Sequence, residues 1–289
     1  MNFHHLSYFK TAYESQNITR AARHLHVSQP AISTAIKELE EELGVQLFVR
    51  QNRGLEATEA GNLFYTQACK MLAQFHNAKR LVREAAEKKS VVRLGFTPMA
   101  GHVAFPKIYE AISREHEEVE LEILEGGSEE LLKCLEEDRV EMVIVPEGAA
   151  YEEYERQEIC RTRLLFAVSR DHPLAKEEKI DIHQLADVPV AIFRKGYMTN
   201  QNVAHLFESN KVPMKVIAQV SHFMCMKTLV ECRAAGGFLM REICDQDENI
   251  KSFEIPGLPE QSVFLVWKKE GYLSWGARQM IRCCRHVPG

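Results

Sequence analysis

The stretch Asn17-Ile-Thr-Arg-Ala-Ala-Arg-His-Leu-His-Val-Ser-Gln-Pro-Ala-Ile-Ser-Thr-Ala-Ile-Lys-Glu-Leu39, continued by Glu40-Glu-Glu-Leu-Gly-Val-Gln-Leu-Phe48, decides how the chain folds at its start. Ala21, Ala22 and Leu25 fall on one face at helical spacing, and Asn17 or Thr19 can cap the start, so a short helix is expected from Ile18 to Leu25. His26 and Val27 make a turn. Ser28 can cap a second helix whose first turn holds Gln29 and Pro30, because proline loses nothing where backbone donors lack helical partners. This helix is expected to run to Leu43 and stop at Gly44. Its apolar stripe is Ala31, Ile32, Ile36, Leu39 and Leu43, while Gln29, Ser33, Thr34 and Lys37 project from the other side. Two helices that cross tightly need small residues at the crossing, here Ala21, Ala22 and Ala31. Amides, hydroxyls and a cation are the groups that read base edges and grip phosphates in a DNA major groove. An ordinary helical hairpin in a globular core would show the same two helices.

The segment after Gly44 separates the two readings. Gln46 to Arg50 and Leu55 to Thr58 flank the turn Asn52-Arg53-Gly54, which predicts a small hairpin, or wing. Arg50 and Arg53 at its tip suit phosphates or a minor groove, and equally suit solvent as plain hairpin charges.

With these residues in place, the N-terminal segment closely resembles the winged helix-turn-helix domain of LysR-type transcriptional regulators. The resemblance rests on Phe9, Ala21-Ala22-Arg23-His24-Leu25, Ser28-Gln29-Pro30-Ala31-Ile32-Ser33, Ile36, Leu39-Glu40, Leu43-Gly44, Leu47-Phe48, Arg50, and Thr58 with Gly61. It implies that Gln29, Pro30, Ser33, Thr34 and Lys37 face bases and phosphates of double-stranded promoter DNA. Thr19, Arg23 and Ser28 then support backbone contacts.

From Thr58 to about Lys89 the chain reads as one long helix. Phe64, Ala68, Met71, Phe75, Ala78, Val82 and Ala85 alternate by four and three, a seam suited to packing against another helix of the same kind; the other possibility is a helix laid on its own domain. In the family this linker dimerises the protein and sets the spacing of two readers, which implies a DNA site with dyad character. The resemblance allows either a homodimer or a homotetramer, with RNA polymerase a candidate further partner.

Beyond Glu87-Lys88-Lys89 strands and helices alternate: strand Val91–Phe96, a loop at Thr97–Gly101, helix His102–Glu115, strand Val119–Leu124, a helix capped by Ser128 and running to Glu137, and strand Val140–Val145. Such alternation predicts a parallel sheet with right-handed crossovers. A second α/β block begins near Arg161, with strands at Leu164–Ser169, Val188–Ile192, Lys215–Val220 and Val263–Trp267 and helices near Asn200–Glu208 and Ser221–Ala234. The last helix, Ser274 to His286, is expected to return to the first block. The fold class is therefore multi-domain α/β. Residues 1–58 form the winged helix-turn-helix, 59–89 the linker helix, and 90–289 a bilobed effector-binding domain resembling periplasmic binding proteins. Its first lobe takes in about 90–160 and 268–289 and its second about 161–267, joined by two crossing strands.

Arg93-Leu94-Gly95, Asp171-His172-Pro173-Leu174-Ala175 and Ala234-Ala235-Gly236 carry the family resemblance here. A small-molecule effector would sit between the lobes, where helix N-termini favour anions. Thr97, Pro98, Met99 and Ser128 are candidates in the first lobe, and Phe193, Lys195, Thr199, Ser221 and His222 in the second. Thr97 and Ser128 equally suit plain capping, and Lys195 plain solvation. Family members often carry Gly-x-Gly followed by apolar residues and proline, where this chain reads Gly236-Gly237-Phe238-Leu239-Met240-Arg241, a departure that bears on pocket shape.

The net charge of −5 over 289 residues looks wrong for a DNA binder until it is divided. Residues 1–58 hold six Lys/Arg against six Asp/Glu, residues 59–90 six against three, and the remainder 24 against 32. The acidity thus lies mainly in the C-terminal part, and a weakly charged reader depends on oligomer avidity and is salt-sensitive. Met1-Asn2-Phe3-His4-His5 has no basic n-region or apolar h-region, so a cytoplasmic chain without membrane contact is expected.

The eight cysteines show no repeated Cys-x-x-Cys spacing and are expected to be reduced, with no metal site and no cofactor. Cys225 and Cys232, seven apart on a helix, would lie about 10 Å apart by helical rise, too far for a disulfide. His4, His5, His24 and His26 read as surface and turn residues rather than ligands. A transporter's solute-binding protein has no use for a winged helix. An enzyme is disfavoured because no Gly-x-Ser-x-Gly, phosphate loop, His-Glu-x-x-His or Gly-x-Gly-x-x-Gly is present, so no catalytic residues are expected.

Overall fold

In the computed structural model, which describes residues 2–51, 54–87, 90–148, 151 and 153–284, the chain forms two compact units, Met1–Arg83 and Glu84–Gly289. In the first unit, α1 (Phe3–Ser15) is capped by Asn2, whose side chain accepts from His5 N at 3.0 Å. α2 (Ile18–His24) and α3 (Gln29–Leu43) follow. Asn17 caps α2 by accepting from Arg20 N, and Ser28 caps α3 by accepting from Ala31 N. His26 takes a left-handed φ of 53° in the turn, and Gly44 ends α3 at φ 70°. Of the expected stripe, Ile32, Ile36 and Leu39 are buried, Ala31 is half-buried and Leu43 is exposed; Ala35, outside the stripe, is buried as well.

The wing is β1 (Phe48–Gln51) paired antiparallel with β2 (Gly54–Ala57), as its turn chemistry predicts. Glu40, on α3, holds the entry to this hairpin: its carboxylate accepts from Leu47 N at 2.7 Å and Phe48 N at 3.1 Å. Leu55 N donates to Gln16 O at 3.1 Å and ties the second strand to the end of α1.

α4 (Glu59–Glu87) begins under Thr58, whose hydroxyl accepts from Gly61 N at 2.9 Å and donates to Gln46 O at 2.8 Å. Gly61 lies against the Leu47 carbonyl so closely that a Cβ would sit 2.1 Å from that oxygen. The first half of α4 packs on its own unit. Phe64 meets Phe9 edge-on at 4.9 Å, Ala68 is fully buried, Met71 flanks the same cluster, and Phe75 stacks on Phe3 at 3.8 Å. The seam is therefore split: its early positions spend their surface within the chain, while Ala78 and Val82 are exposed.

The second unit holds one continuous sheet in the order β4-β3-β5-β11-β6-β9-β7-β8, with β10 pairing β6. The strands are β3 (Ser90–Phe96), β4 (Val119–Glu125), β5 (Met142–Pro146), β6 (Tyr154–Ser169), β7 (Pro189–Phe193), β8 (Lys215–Val220), β9 (Gly236–Met240), β10 (Ile250–Phe253) and β11 (Glu260–Lys268). β3 pairs parallel with β4 and β5, and β7 with β8 and β9, giving the two expected parallel sub-sheets. β6 and β11 are the crossing strands, paired from Tyr154–Lys268 to Arg163–Glu260 with a bulge between Val263 and Phe264.

Helices α5 (Pro98–Glu115), α6 (Ser128–Glu136), α7 (Met198–Ser209), α8 (Phe223–Glu231), α9 (Arg241–Asp245) and α10 (Trp275–Cys284) cover the sheet. Gly276 N donates to Ser90 Oγ at 2.8 Å, which returns α10 to the first strand as expected.

Several local expectations change. α5 starts at Pro98 and leaves no loop over Thr97–Gly101, because proline at the first helical position is preorganised for the turn. Gly127, not Ser128, is the N-cap of α6; Ser128 is its first helical residue and makes no capping bond. β6 begins at Tyr154, well before the expected Leu164. β9 and β10 are additional: Gly236 and Gly237 obscure the strand pattern, yet a Cβ there would lie 2.3 Å from Phe166 Cζ and 2.6 Å from Met226 Cγ, so close packing requires glycine. α8 is shorter than Ser221–Ala234, since His222 caps it by accepting from Met224 N.

Candidate nucleic-acid interface and effector cleft

Along α3, Gln29, Pro30, Thr34 and Lys37 are exposed and Ser33 is half-buried, so the polar side of the helix is open along its first two turns. Thr19 Oγ1 donates to Gln29 Oε1 at 3.1 Å, which orients the amide and leaves its NH2 group outward. Ser28 is engaged in the cap and contributes its hydroxyl to the helix start. Arg23 is exposed at the last turn of α2. Lys37 Nζ lies 3.3 Å from Glu41, with both side chains largely in solvent. Between α3 and the wing lies a cavity of about 280 Å³ lined by Ser33, Thr34, Lys37 and Glu40 on one side and Phe48 and Leu55 on the other. Arg53 lies outside the described residues, as does the side chain of Arg50. In the acidic stretch Glu38–Glu42, Glu40 positions the wing, and Glu38 lies 3.3 Å from His5 Nε2.

The second set of candidates gathers where the two sub-sheets end. Thr97, Pro98 and Met99 are buried at the start of α5, and Ser128 at the start of α6. Opposite them, Glu129 N donates to Gly196 O at 3.2 Å, Gln201 Nε2 donates to Glu129 Oε1 at 2.9 Å, and His222 Nε2 lies 3.5 Å from Glu125. The His102 and Phe223 rings are 5.0 Å apart. Gly127 approaches Gly196 so nearly that a Cβ would lie 2.9 Å from its carbonyl oxygen.

The starts of α5, α6 and α7 all lack a side-chain capping bond; the first turns of α5 and α7 hold no carboxylate, whereas Glu129 and Glu130 stand in that of α6. Thr199 is buried near the start of α7. Phe193 belongs to the core, its carbonyl accepting from Asn200 Nδ2. Lys195 and Ser221 are exposed, and the Ser221 carbonyl accepts from the Tyr197 hydroxyl at 2.9 Å.

Tyr151 is a residue that sequence reasoning missed. It is 1% exposed, and its hydroxyl neighbours that of Ser128, 2% exposed, with no third hydrogen-bond partner for either among the described residues. Burial pushes the Tyr151 phenol up to about 12, a rise that the neighbouring Ser128 hydroxyl tempers. Two buried hydroxyls with only each other to bond to keep spare hydrogen-bonding capacity that a polar ligand can take up. The available signal was Gly148, three residues earlier, where a Cβ would lie 3.2 Å from the Tyr151 ring.

All eight cysteines are free; Cys225 and Cys232 are exposed and the others buried. No helix among the described residues is long and apolar enough to cross a membrane.

Two family models match. Residues 3–62 fit the bacterial regulatory helix-turn-helix protein of the lysR family, and residues 85–288 the LysR substrate binding domain. The uncharacterized HTH-type transcriptional regulator YwbI of Bacillus subtilis is 30% identical over 285 residues, covering 96% of this chain and 94% of the relative. Among solved structures, full-length CbnR complexed with its target DNA superposes with a TM-score of 0.72 at 21% identity over 100% of both chains. The effector binding domain of QuiR in complex with shikimate does so with a TM-score of 0.62 at 18% identity, over 69% of this chain and 100% of that one. The exposed polar face of α3 beside a wing, the bilobed second unit and both family models together place the chain in the LysR family of DNA-binding transcriptional regulators, with an N-terminal helix-turn-helix and a C-terminal effector-binding domain.

Proposed function

We propose that the protein acts in the cytoplasm as a homo-oligomer, dimer or tetramer, on dyad-symmetric promoter sites, and responds to a small anionic effector held between its lobes without turning that ligand over. Residues 1–58 read DNA, 59–89 pair subunits and 90–289 bind the effector, with RNA polymerase the further partner. For DNA the support is the exposed row Gln29, Pro30, Thr34 and Lys37, the amide of Gln29 oriented by Thr19. For pairing it is the exposed stretch of α4 at Ala78 and Val82, where Val82 is 73% exposed.

The observation that carries the effector reading is the buried pair of hydroxyls, Ser128 and Tyr151, which among the described residues have only each other to bond to, beside the start of α6. Helix starts offer oriented N–H groups to a carboxylate, and the hydroxyls supply further donors. The QuiR domain with shikimate, itself a carboxylate, is consistent with this class of ligand. Effector binding changes lobe closure and through it the angle between paired readers, which requires different affinities for the two arrangements.

Footprinting of the purified protein on DNA upstream of its own and neighbouring genes, at stated salt, tests the reading. Protection of a dyad-related site is expected, altered by a carboxylic acid that binds the second unit. Absence of protection at low salt by folded protein would overturn the DNA assignment, and equal effector affinity with and without operator would overturn the coupling.

A further inference from the structure

At the far end of α5, about 27 Å of helix from Thr97, three metal-ligating groups converge from two elements. Glu115 is the last residue of α5, His116 its C-cap, and Cys283 lies in the last turn of α10. One ligand atom from each lies within 4.8 Å of the others, and Cys283 Sγ is 3.9 Å from Glu115 Oε2. In a tetrahedral zinc site, ligand atoms of these types stand about 3.4–3.6 Å apart, so closing on a cation requires small side-chain rotations only.

The scaffold is firm. His116 N donates to Ile112 O at 2.8 Å, the ring meets Trp275 edge-on at 5.1 Å, and Ile112, Ala277, Met280 and Cys284 pack in one core beneath the cluster. His116 Nδ1 lies 3.6 Å from Glu118, so a small shift lets that carboxylate accept a ring N–H while the other nitrogen binds a metal, an arrangement common to metal-bound histidines.

We propose that Glu115, His116 and Cys283 form a zinc site that clips the last helix to α5, with water at the fourth position. A sulfur, a nitrogen and an oxygen donor together favour a borderline divalent ion such as Zn²⁺ over Mg²⁺ or Ca²⁺, which take oxygen. On binding, the Cys283 thiol becomes a thiolate and releases one proton to solvent, so affinity rises with pH. Sequence spacing could not disclose the site, because Glu115 and Cys283 stand 168 residues apart.

The test is calorimetric titration of reduced, chelator-stripped full-length protein with zinc chloride, and with Co²⁺ as a spectroscopic probe. One Zn²⁺ per chain, a thiolate-to-cobalt charge-transfer band and a higher Tm are expected. C283S and H116N should abolish stoichiometric binding, E118Q should weaken it by about 10–100-fold, and the exposed-thiol variant C232S should retain it with the cobalt band. No stoichiometric binding, or binding that survives in C283S and H116N, would overturn the proposal. Circular dichroism of each variant separates loss of the site from loss of the fold, and H116N, at a part-exposed position, keeps the test open should C283S unfold.

Discussion

The two units place their polar groups oppositely. In the first, Gln29, Pro30, Thr34 and Lys37 stand in water on one helix face, and the buried residues beneath serve only to aim them. In the second, the candidate hydroxyls of Thr97, Ser128 and Thr199 are all buried, while Lys195 and Ser221 are exposed. A reader of long rigid duplexes must present its contacts outward. A pocket for a small molecule must desolvate it, and so keeps its donors inside.

The contrast predicts that substitutions in the first unit separate cleanly into those that break the scaffold and those that break recognition. Gly61→Ala should be the most damaging, because the new Cβ meets the Leu47 carbonyl, a backbone group pinned next to the Leu47 amide that Glu40 holds. A loss of about 3 kcal/mol is expected from such overpacking, read as a lower urea midpoint together with lost operator binding. Gln29→Ala should leave the melting curve unchanged and lower operator affinity by about 10–100-fold, measured by fluorescence anisotropy on the footprinted site. An equal loss of affinity for random DNA would assign Gln29 to phosphates instead.

For the second unit the expected sign differs. Ser128→Ala removes a buried hydroxyl whose one polar neighbour among the described residues is the Tyr151 phenol, so the effector-free protein should keep its Tm while effector affinity falls about tenfold. A fall in Tm without effector would show that the hydroxyl is satisfied in the resting protein and would remove the contrast. Asp247→Asn probes the same unit away from the cleft. The Lys227 ammonium, 2.7 Å away, is the main group that holds the Asp247 carboxyl at about 2, well below the usual carboxylate value. A depressed carboxylate contributes stability above its unfolded pKa of about 4 and loses it as pH falls towards the folded value. The variant's deficit in Tm should therefore be small, present at neutral pH, and shrink below about pH 4.

The same opposition explains what could be read in the chain alone. The helix-turn-helix is a contiguous segment whose caps, Asn17, Ser28 and Gly44, are local chemistry, and each acts in the structure as residue type and position imply. The crossing strands and the return of α10 followed from alternation of strand and helix. Ser128 was legible as a candidate from its place at a helix start, but Tyr151 did not declare itself, since its burial against Ser128 exists only once the sheet has formed. Likewise β9 hid behind Gly236-Gly237, where propensity argues against a strand and packing against Phe166 and Met226 demands it. On α4 the heptad pattern was present, yet Phe64 and Ala68 answer to Phe9 in their own unit, a partner that periodicity cannot name.

The pairing of β6 with β11 has a mechanical consequence. Two strands hydrogen-bonded along their whole overlap resist sliding past one another and yield chiefly by twisting, so the lobes are joined by a torsion ribbon rather than by slack tethers. The bulge between Val263 and Phe264 interrupts that ribbon at one point, and twist concentrates where the ladder is interrupted. Under the proposed function, lobe motion is then expected as a rotation about that point, and a ligand's grip would be converted into an angle of defined direction.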